Sequence, residues 1–445
     1  MLCGVVFLPH PPILVPQVGK GSESEAAVTQ NGVERVVAYA KSCRPDIVVC
    51  ISPHGETTND RLRVYMGARF TYNFGRFGAK EAVLGLQVAQ DFSGELLFEI
   101  GENLSAVACA TSEDHGAAVP LYFLAAELAA DTRYVLATPG GLSERSLPAV
   151  GKALRRLCNR YNGRVLVLAS GDLSHYLKAD GPYGIRQEGK RHDEAVVAAF
   201  KRNVSEYFSI GPEVFAGAGQ CAYEPFAIAL HAAGGDNLPA QVYSYEGPFG
   251  VGYMTAALAV NEHSEEDSPP LDSYCTLARL AAYYAVYAGM CAKPEYFEKW
   301  DAVPKQYQAA AFVTLERNGA LRGCIGTMQP TKSNVAEEIC SAAHQAALSD
   351  PRFVPVDVLE LGELSVKTDV LGKIEDIDFK NQLDVKRYGV IVSAGTHRGL
   401  LLPNLENVDS VEQQIEIALA KAGIQGGYSG YKLQRFEVVR HTAFL

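Results

Sequence analysis

Hydrophobic and polar positions over the first 260 residues fall into two alternating patterns. Short apolar, β-branched runs at 46–52, 134–138 and 164–170 are too brief for core helices and predict strands buried on both faces. The segments 33–43, 117–130 and 192–201 carry apolar residues at three- and four-residue spacing, which predicts helices with one buried stripe. Strand–helix alternation of this kind predicts an α/β sheet flanked by helices on both faces. Beyond residue 270 the pattern changes. A helix at 271–288, a strand at 309–316, a helix at 334–348, a strand at 364–371 and a helix at 411–422 follow without regular alternation, which predicts an α+β domain.

Between the two patterns, Asn261 to Pro270 is acidic, lacks apolar periodicity and ends in two prolines, so it predicts a linker between domains at 1–260 and 271–445. A length of 445 residues is too great for one ordinary core, in agreement with this division. A net charge of -11 argues against a general nucleic-acid-binding surface. No apolar run reaches the roughly 18–20 residues that span a bilayer, so no membrane association is expected. The apolar start lacks a basic segment and is interrupted at Pro9, Pro11, Pro12 and Pro16, unlike a signal peptide. Ten scattered cysteines without a CxxC pair predict reduced thiols and a cytoplasmic setting.

Candidate chemistry lies with the histidines. His10 follows the apolar run 3–8, His54 follows 47–51, and His175 follows 165–168. Each sits just past the carboxyl end of a predicted strand, the edge where open α/β sheets bind ligands. His115 precedes a predicted helix and is placed to project from its N-terminus. A lone loop histidine is usually a surface residue; four at one edge make a site. Two neutral imidazoles plus one anionic ligand on one face leave open positions on iron(II), and zinc(II) accepts similar ligands. Further histidines nearby can move protons near neutral pH. Gly219 to Phe226 offers two anionic candidates, Cys221 and Glu224, which read otherwise as a small buried residue and a helix-start charge. His192, in a charged stretch opening a helix, reads as part of a solvated face.

Pro9-His10-Pro11-Pro12, Ser52-Pro53-His54-Gly55, Asp114-His115-Gly116 and Gly171-Asp172-Leu173-Ser174-His175 occur in the order seen in the LigB superfamily, and over about residues 1–260 the chain resembles it. That superfamily contains class III extradiol dioxygenases and the Memo proteins. The resemblance implies that His10 and His54 are iron ligands and that His175 is the acid/base acting on a catechol. His115 would orient substrate or dioxygen, and Asp172 would fix the His175 tautomer or else serve as a turn carboxylate. The dioxygenases place a glutamate as third ligand and the Memo proteins a cysteine. Motif position points to Cys221, and the hard-ligand preference of iron(II) points to Glu224. The implied activity is extradiol ring cleavage of a catecholic substrate with O2. The alternative is a Memo-like metal-binding or regulatory protein without ring cleavage.

In the second domain, Leu321-Arg322-Gly323-Cys324-Ile325-Gly326-Thr327, Asp350-Pro351-Arg352-Phe353-Val354-Pro355 and Gly399-Leu400-Leu401-Leu402-Pro403 resemble the AMMECR-type domain. That resemblance implies association with a radical SAM protein, and family habit implies a homo-oligomer. Arg322 is placed to bind an anion and to activate Cys324; the alternative is a buried strand whose glycines allow tight packing. Asp350-Pro351-Arg352 reads as a helix-ending turn. A third functional reading, nucleic-acid binding or modification through this domain, is weakened by the acidic balance.

Overall fold

A computed structural model describes residues 1–56, 61–101, 106–109, 113–234, 239–260, 272–300, 303–305, 307–405, 407–424 and 430–442. The predicted linker at 261–270 lies outside the described residues. The chain separates into two compact units. The first is the N-terminal part together with short later segments around Trp300 and at Asp357–Glu363.

The strands of the first unit are β1 (Leu2–Leu8), β2 (Ile47–Ile51), β3 (Arg61–Tyr65), β4 (Arg69–Phe74), β5 (Ala79–Gln87), β6 (Ala106–Cys109), β7 (Arg133–Gly140), β8 (Val165–Ser170), β9 (Gln241–Glu246) and β10 (Tyr253–Leu258). Its helices are α1 (Pro16–Gly19), α2 (Ala27–Cys43), α3 (Gln90–Gly101), α4 (His115–Ala125), α5 (Ser146–Arg160), α6 (Gln187–Arg202), α7 (Pro212–Ala218) and α8 (Tyr223–Ala233). One sheet runs in the order β6-β3-β7-β2-β8-β1-β10-β9. Its centre, β7-β2-β8-β1, is parallel, while β10 and β9 continue it antiparallel. Every residue of β2 and β8 is buried, which is why these strands are continuous apolar runs. Side chains of β1 alternate between two cores. Val6 and Leu8 pack with Val33, Val36 and Leu121 on one face, and Phe7 lies 4.8 Å from Phe200 and 4.9 Å from Phe226 on the other. Helices thus cover both faces, as the alternation predicts. The parallel centre aligns the carboxyl ends of four strands along one edge, and the loops leaving β1, β2 and β8 there carry His10, His54 and His175.

His192 departs from its expectation. It is 1% exposed, with its ring Nδ1 2.7 Å from Asp193 Oδ1. The buried Asp193 also accepts hydrogen bonds from the Ser174 amide at 2.9 Å and the Tyr245 hydroxyl at 2.8 Å. The solvated face of α6 belongs to neighbours such as Lys190, Arg191 and Glu194, while His192 and Asp193 turn inward beneath the loop bearing His175.

The second unit is α+β. Its strands are β11 (Ala311–Arg317), β12 (Ala320–Gly326), β13 (Leu364–Leu371), β14 (Glu375–Ile377), β15 (Tyr388–Ala394), β16 (His397–Leu401) and β17 (Lys432–Thr442). They form an antiparallel sheet in the order β12-β11-β13-β17-β15-β16, with β14 beside β17. The helices α9 (Ser273–Ala288), α10 (Val335–Leu348) and α11 (Val411–Lys421) are capped by Asp272, Asn334 and Ser410 side chains that accept orphan amide hydrogens. Among the described residues no helix is long and apolar enough to cross a membrane.

Around β12, Arg322 donates to the carbonyls of Val354 at 2.8 Å and Pro355 at 3.1 Å. Arg352 pairs with Asp350 at 2.7 Å and donates to the Cys324 carbonyl at 3.0 Å. Asp350 in turn accepts the Cys324 amide at 2.8 Å, and Thr314 donates to the Cys324 sulfur at 3.2 Å. The Arg352 guanidinium holds the Asp350 carboxyl down at about 2. A Cβ on Gly323 would stand 2.2 Å from the Ala346 carbonyl of α10, so glycine there lets sheet and helix close together. Gly323→Ala is therefore expected to destabilise the protein by about 1–3 kcal/mol in denaturant unfolding. An unchanged midpoint would show that the close approach is not a constraint.

Candidate metal centre

His10 and His54 leave the carboxyl ends of the parallel strands β1 and β2, whereas His115 opens α4 and Cys221 lies between α7 and α8. His10 leaves β1 between Pro9 and Pro11, with the backbone at Pro11 extended. Its amide donates to Asp172 Oδ1 at 2.9 Å. Its ring Nδ1 is 2.9 Å from Ser170 Oγ, the last residue of β8, and that hydroxyl spends its own hydrogen on the Gly116 carbonyl at 2.5 Å. Ser170 can therefore only accept from the imidazole. The Nδ1 of His10 carries the hydrogen, and Nε2 presents a lone pair to the site.

His54 stands beside it, with ring centroids 4.7 Å apart, and His115 stacks on His54 at 4.7 Å. His115 opens α4, whose cap is Asp114; that carboxylate accepts the Ala117 amide at 3.0 Å and the Ser52 hydroxyl at 2.8 Å. Cys221 arrives from the turn after α7, where Gly219 adopts φ 58°. A Cβ on Gly171 would lie 2.5 Å from Ala222 Cα, so the β8 loop and the Cys221 loop meet closely only with glycine there. The two loops are then tied reciprocally. The Cys221 amide donates to the Asp172 carbonyl at 3.2 Å, and the Asp172 amide donates to Cys221 Sγ at 3.3 Å. Cys221 Sγ lies 3.6 Å from His10 Nε2.

One ligand atom each from His10, His54 and Cys221 lies within 4.8 Å of the others, and no other such group occurs among the described residues. Glu224, on the first turn of α8, stands outside that set. Its carboxylate accepts the backbone N–H groups of Gly141 and Leu142, and burial raises its pKa. His175 has its Nε2 buried without a hydrogen-bond partner and its ring 5.1 Å from that of Tyr183. Asp172 braces His10 through its amide, and its charge also bears on His175.

Burial sets the electrostatics. It lowers the pKa of His10, His54 and His175, and holds His115 at about 3 with help from His10, His54 and Arg76. These rings are neutral at pH 7. Burial raises Asp114 and Asp172 to about 6 and pushes the Cys221 thiol up, with the Asp172 charge adding to the latter. Two neutral imidazoles, one with its tautomer fixed, and a buried thiol suit a divalent transition ion, whose charge would favour the thiolate that burial disfavours. Sequence reasoning missed Ser170, Ser52 and the buried His192–Asp193 pair. A polar residue closing an otherwise apolar strand was the available signal for Ser170.

A cluster of two histidines and a cysteine of this kind is a candidate metal site on an α/β sheet. Residues 4–256 match the family described as the catalytic LigB subunit of aromatic ring-opening dioxygenase, and residues 271–441 match AMMECR1. The chain belongs to the LigB family, with an AMMECR1 domain following. Protein CA_C1420 of Clostridium acetobutylicum is 33% identical over 99% of both chains. A Thermotoga maritima protein is 48% identical over 32% of this chain and 83% of its own. Among solved structures, the uncharacterized protein PH0010 of Pyrococcus horikoshii is 31% identical, with a TM-score of 0.35 over 38% of this chain and 88% of that one. The uncharacterized protein JW3007 of Escherichia coli K12 is 15% identical, with a TM-score of 0.39 over 58% of this chain and all of that one.

With the histidines already neutral, the thiol is the ligand that must lose a proton. Metal binding at pH 7 is expected to release about one proton per ion, and close to none in Cys221→Ala. Calorimetry in buffers of different ionisation enthalpy reads this directly. Equal release from both proteins would remove Cys221 from the ligand set.

Proposed function

We propose that the first domain is an iron(II)-dependent, oxygen-using enzyme that chelates a catecholic substrate at a centre held by His10, His54 and Cys221. The observation that carries this reading is the convergence of those three ligand atoms beside the unpartnered Nε2 of His175. Iron(II) bound there would supply a chelation point for vicinal hydroxyls and activate dioxygen. The chain's own residues do the rest. His175, neutral at pH 7, takes a hydroxyl proton at Nε2 as the substrate binds and returns it later. The charge on Asp172 raises the basicity of that ring against burial, which stabilises the protonated state during turnover. His115 and His54, stacked face to face, form a wall against which a flat ring can lie. Zinc(II) fits the same donors without the oxygen chemistry.

A second reading, a Memo-like metal-binding protein without ring cleavage, is favoured by one observation: a thiol stands where the dioxygenases place a carboxylate. The two readings separate on His175→Ala. Iron-loaded wild-type protein is expected to consume O2 with a catechol and form a ring-opened product. The variant keeps its metal and loses at least about a hundredfold in rate. Metal and catechol binding without O2 consumption in the wild type would contradict the enzyme and leave the second reading.

A further inference from the structure

Beside the metal centre lies a cavity of about 350 Å³, within the size range of small-molecule sites. Cys221 and Pro53, the residue before His54, form its inner wall, so a molecule in the cavity adjoins the metal ligands. Pro139 and Pro225 provide apolar surface, and the Gly140–Gly141 backbone brings no side chain into it. Its acidic group is Glu224, and none of the described residues lining it is basic. The two backbone N–H groups of Gly141 and Leu142 engage the carboxylate without neutralising it, and a carboxylate has further lone pairs to offer. Outside the lining, the charge of Glu144 also bears on Tyr223. The guanidinium whose charge bears on His115, Arg76, is paired with Glu113 at 3.4 Å and is not among the lining residues.

We propose that this cavity is a subsite for a protonated amine arm on the chelated substrate, with Glu224 as its acceptor and specificity determinant. The inference rests on the catechol-chelating reading above and adds to it the side chain of the substrate. The metal ligands hold the ring oxygens, the proline walls take the methylenes of the arm, and the ammonium donates to Glu224. A charge-assisted hydrogen bond at the half-buried carboxylate favours that arm over an apolar one, and a carboxylate arm meets like charge. Glu224 thereby has a role distinct from the metal ligation that its position in the sequence also allowed.

The test is calorimetric binding to the zinc-loaded full-length chain, which reads affinity without turnover. The probes are 4-(2-aminoethyl)catechol, 4-methylcatechol and 3,4-dihydroxyphenylacetate. In the wild type the amine is expected to bind about tenfold tighter than the methyl compound, with the carboxylate weakest, about 1.4 kcal/mol per step. In Glu224→Gln, with metal content unchanged, the amine advantage should disappear. Equal binding of amine and methyl compounds in the wild type, or an advantage that survives in Glu224→Gln, would overturn the subsite while leaving the chelating centre intact. Loss of metal from Glu224→Gln would overturn it by making the carboxylate a ligand. Binding of none of the three would bring down the catechol reading and the subsite together.

Discussion

The hydrogen-bond relay from His10 through Ser170 to the Gly116 carbonyl is the constraint on which the candidate centre depends. Both side chains are buried, and a buried imidazole with the wrong tautomer would point a hydrogen, not a lone pair, into the site. Because the hydroxyl of Ser170 is committed to a backbone carbonyl at the start of α4, it imposes one tautomer on His10 without any charge. The relay also joins β1, β8 and α4, so the ligand's orientation is tied to the packing of the sheet itself.

From that fixed point the rest of the geometry follows as close approach. Asp172 holds the His10 amide, and its own backbone exchanges hydrogen bonds with Cys221, so the first and last candidate ligands are braced by one loop. The loop meets its neighbour because Gly171 has no Cβ to place against Ala222. Beneath it, the buried Asp193 grips the Ser174 amide one residue before His175. The result is a pocket of neutral rings and a protonated thiol, an environment whose missing element is positive charge. Glu224 adds a carboxylate to the cavity that adjoins it.

Much of this was legible in the sequence because parallel strands buried on both faces leave unbroken apolar runs. β2, β7 and β8 were visible for that reason, and His10, His54 and His175 were informative because they end such runs. The antiparallel additions β9 and β10, and the hairpin β4–β5, were not identified; β4 and β5 alternate between buried and exposed positions instead of forming unbroken apolar runs. The choice between Cys221 and Glu224 could not be read from spacing. Only two residues lie between them, and the left-handed turn at Gly219 delivers one to the histidines and the other to the β7–α5 turn. Ser170 was hidden for a similar reason, since its partner lies 160 residues away. His192 shows the limit of charge runs as a guide, because a helix turns consecutive residues by about 100° and buries one beside its charged neighbours.

X-ray absorption at the metal edge of the iron-loaded full-length chain tests the central claim most directly. A centre held by His10, His54 and Cys221 predicts one sulfur bound to the metal alongside nitrogen, with the sulfur lost in Cys221→Ala. A shell of nitrogen and oxygen alone in the wild type would contradict it and return the third position to a carboxylate.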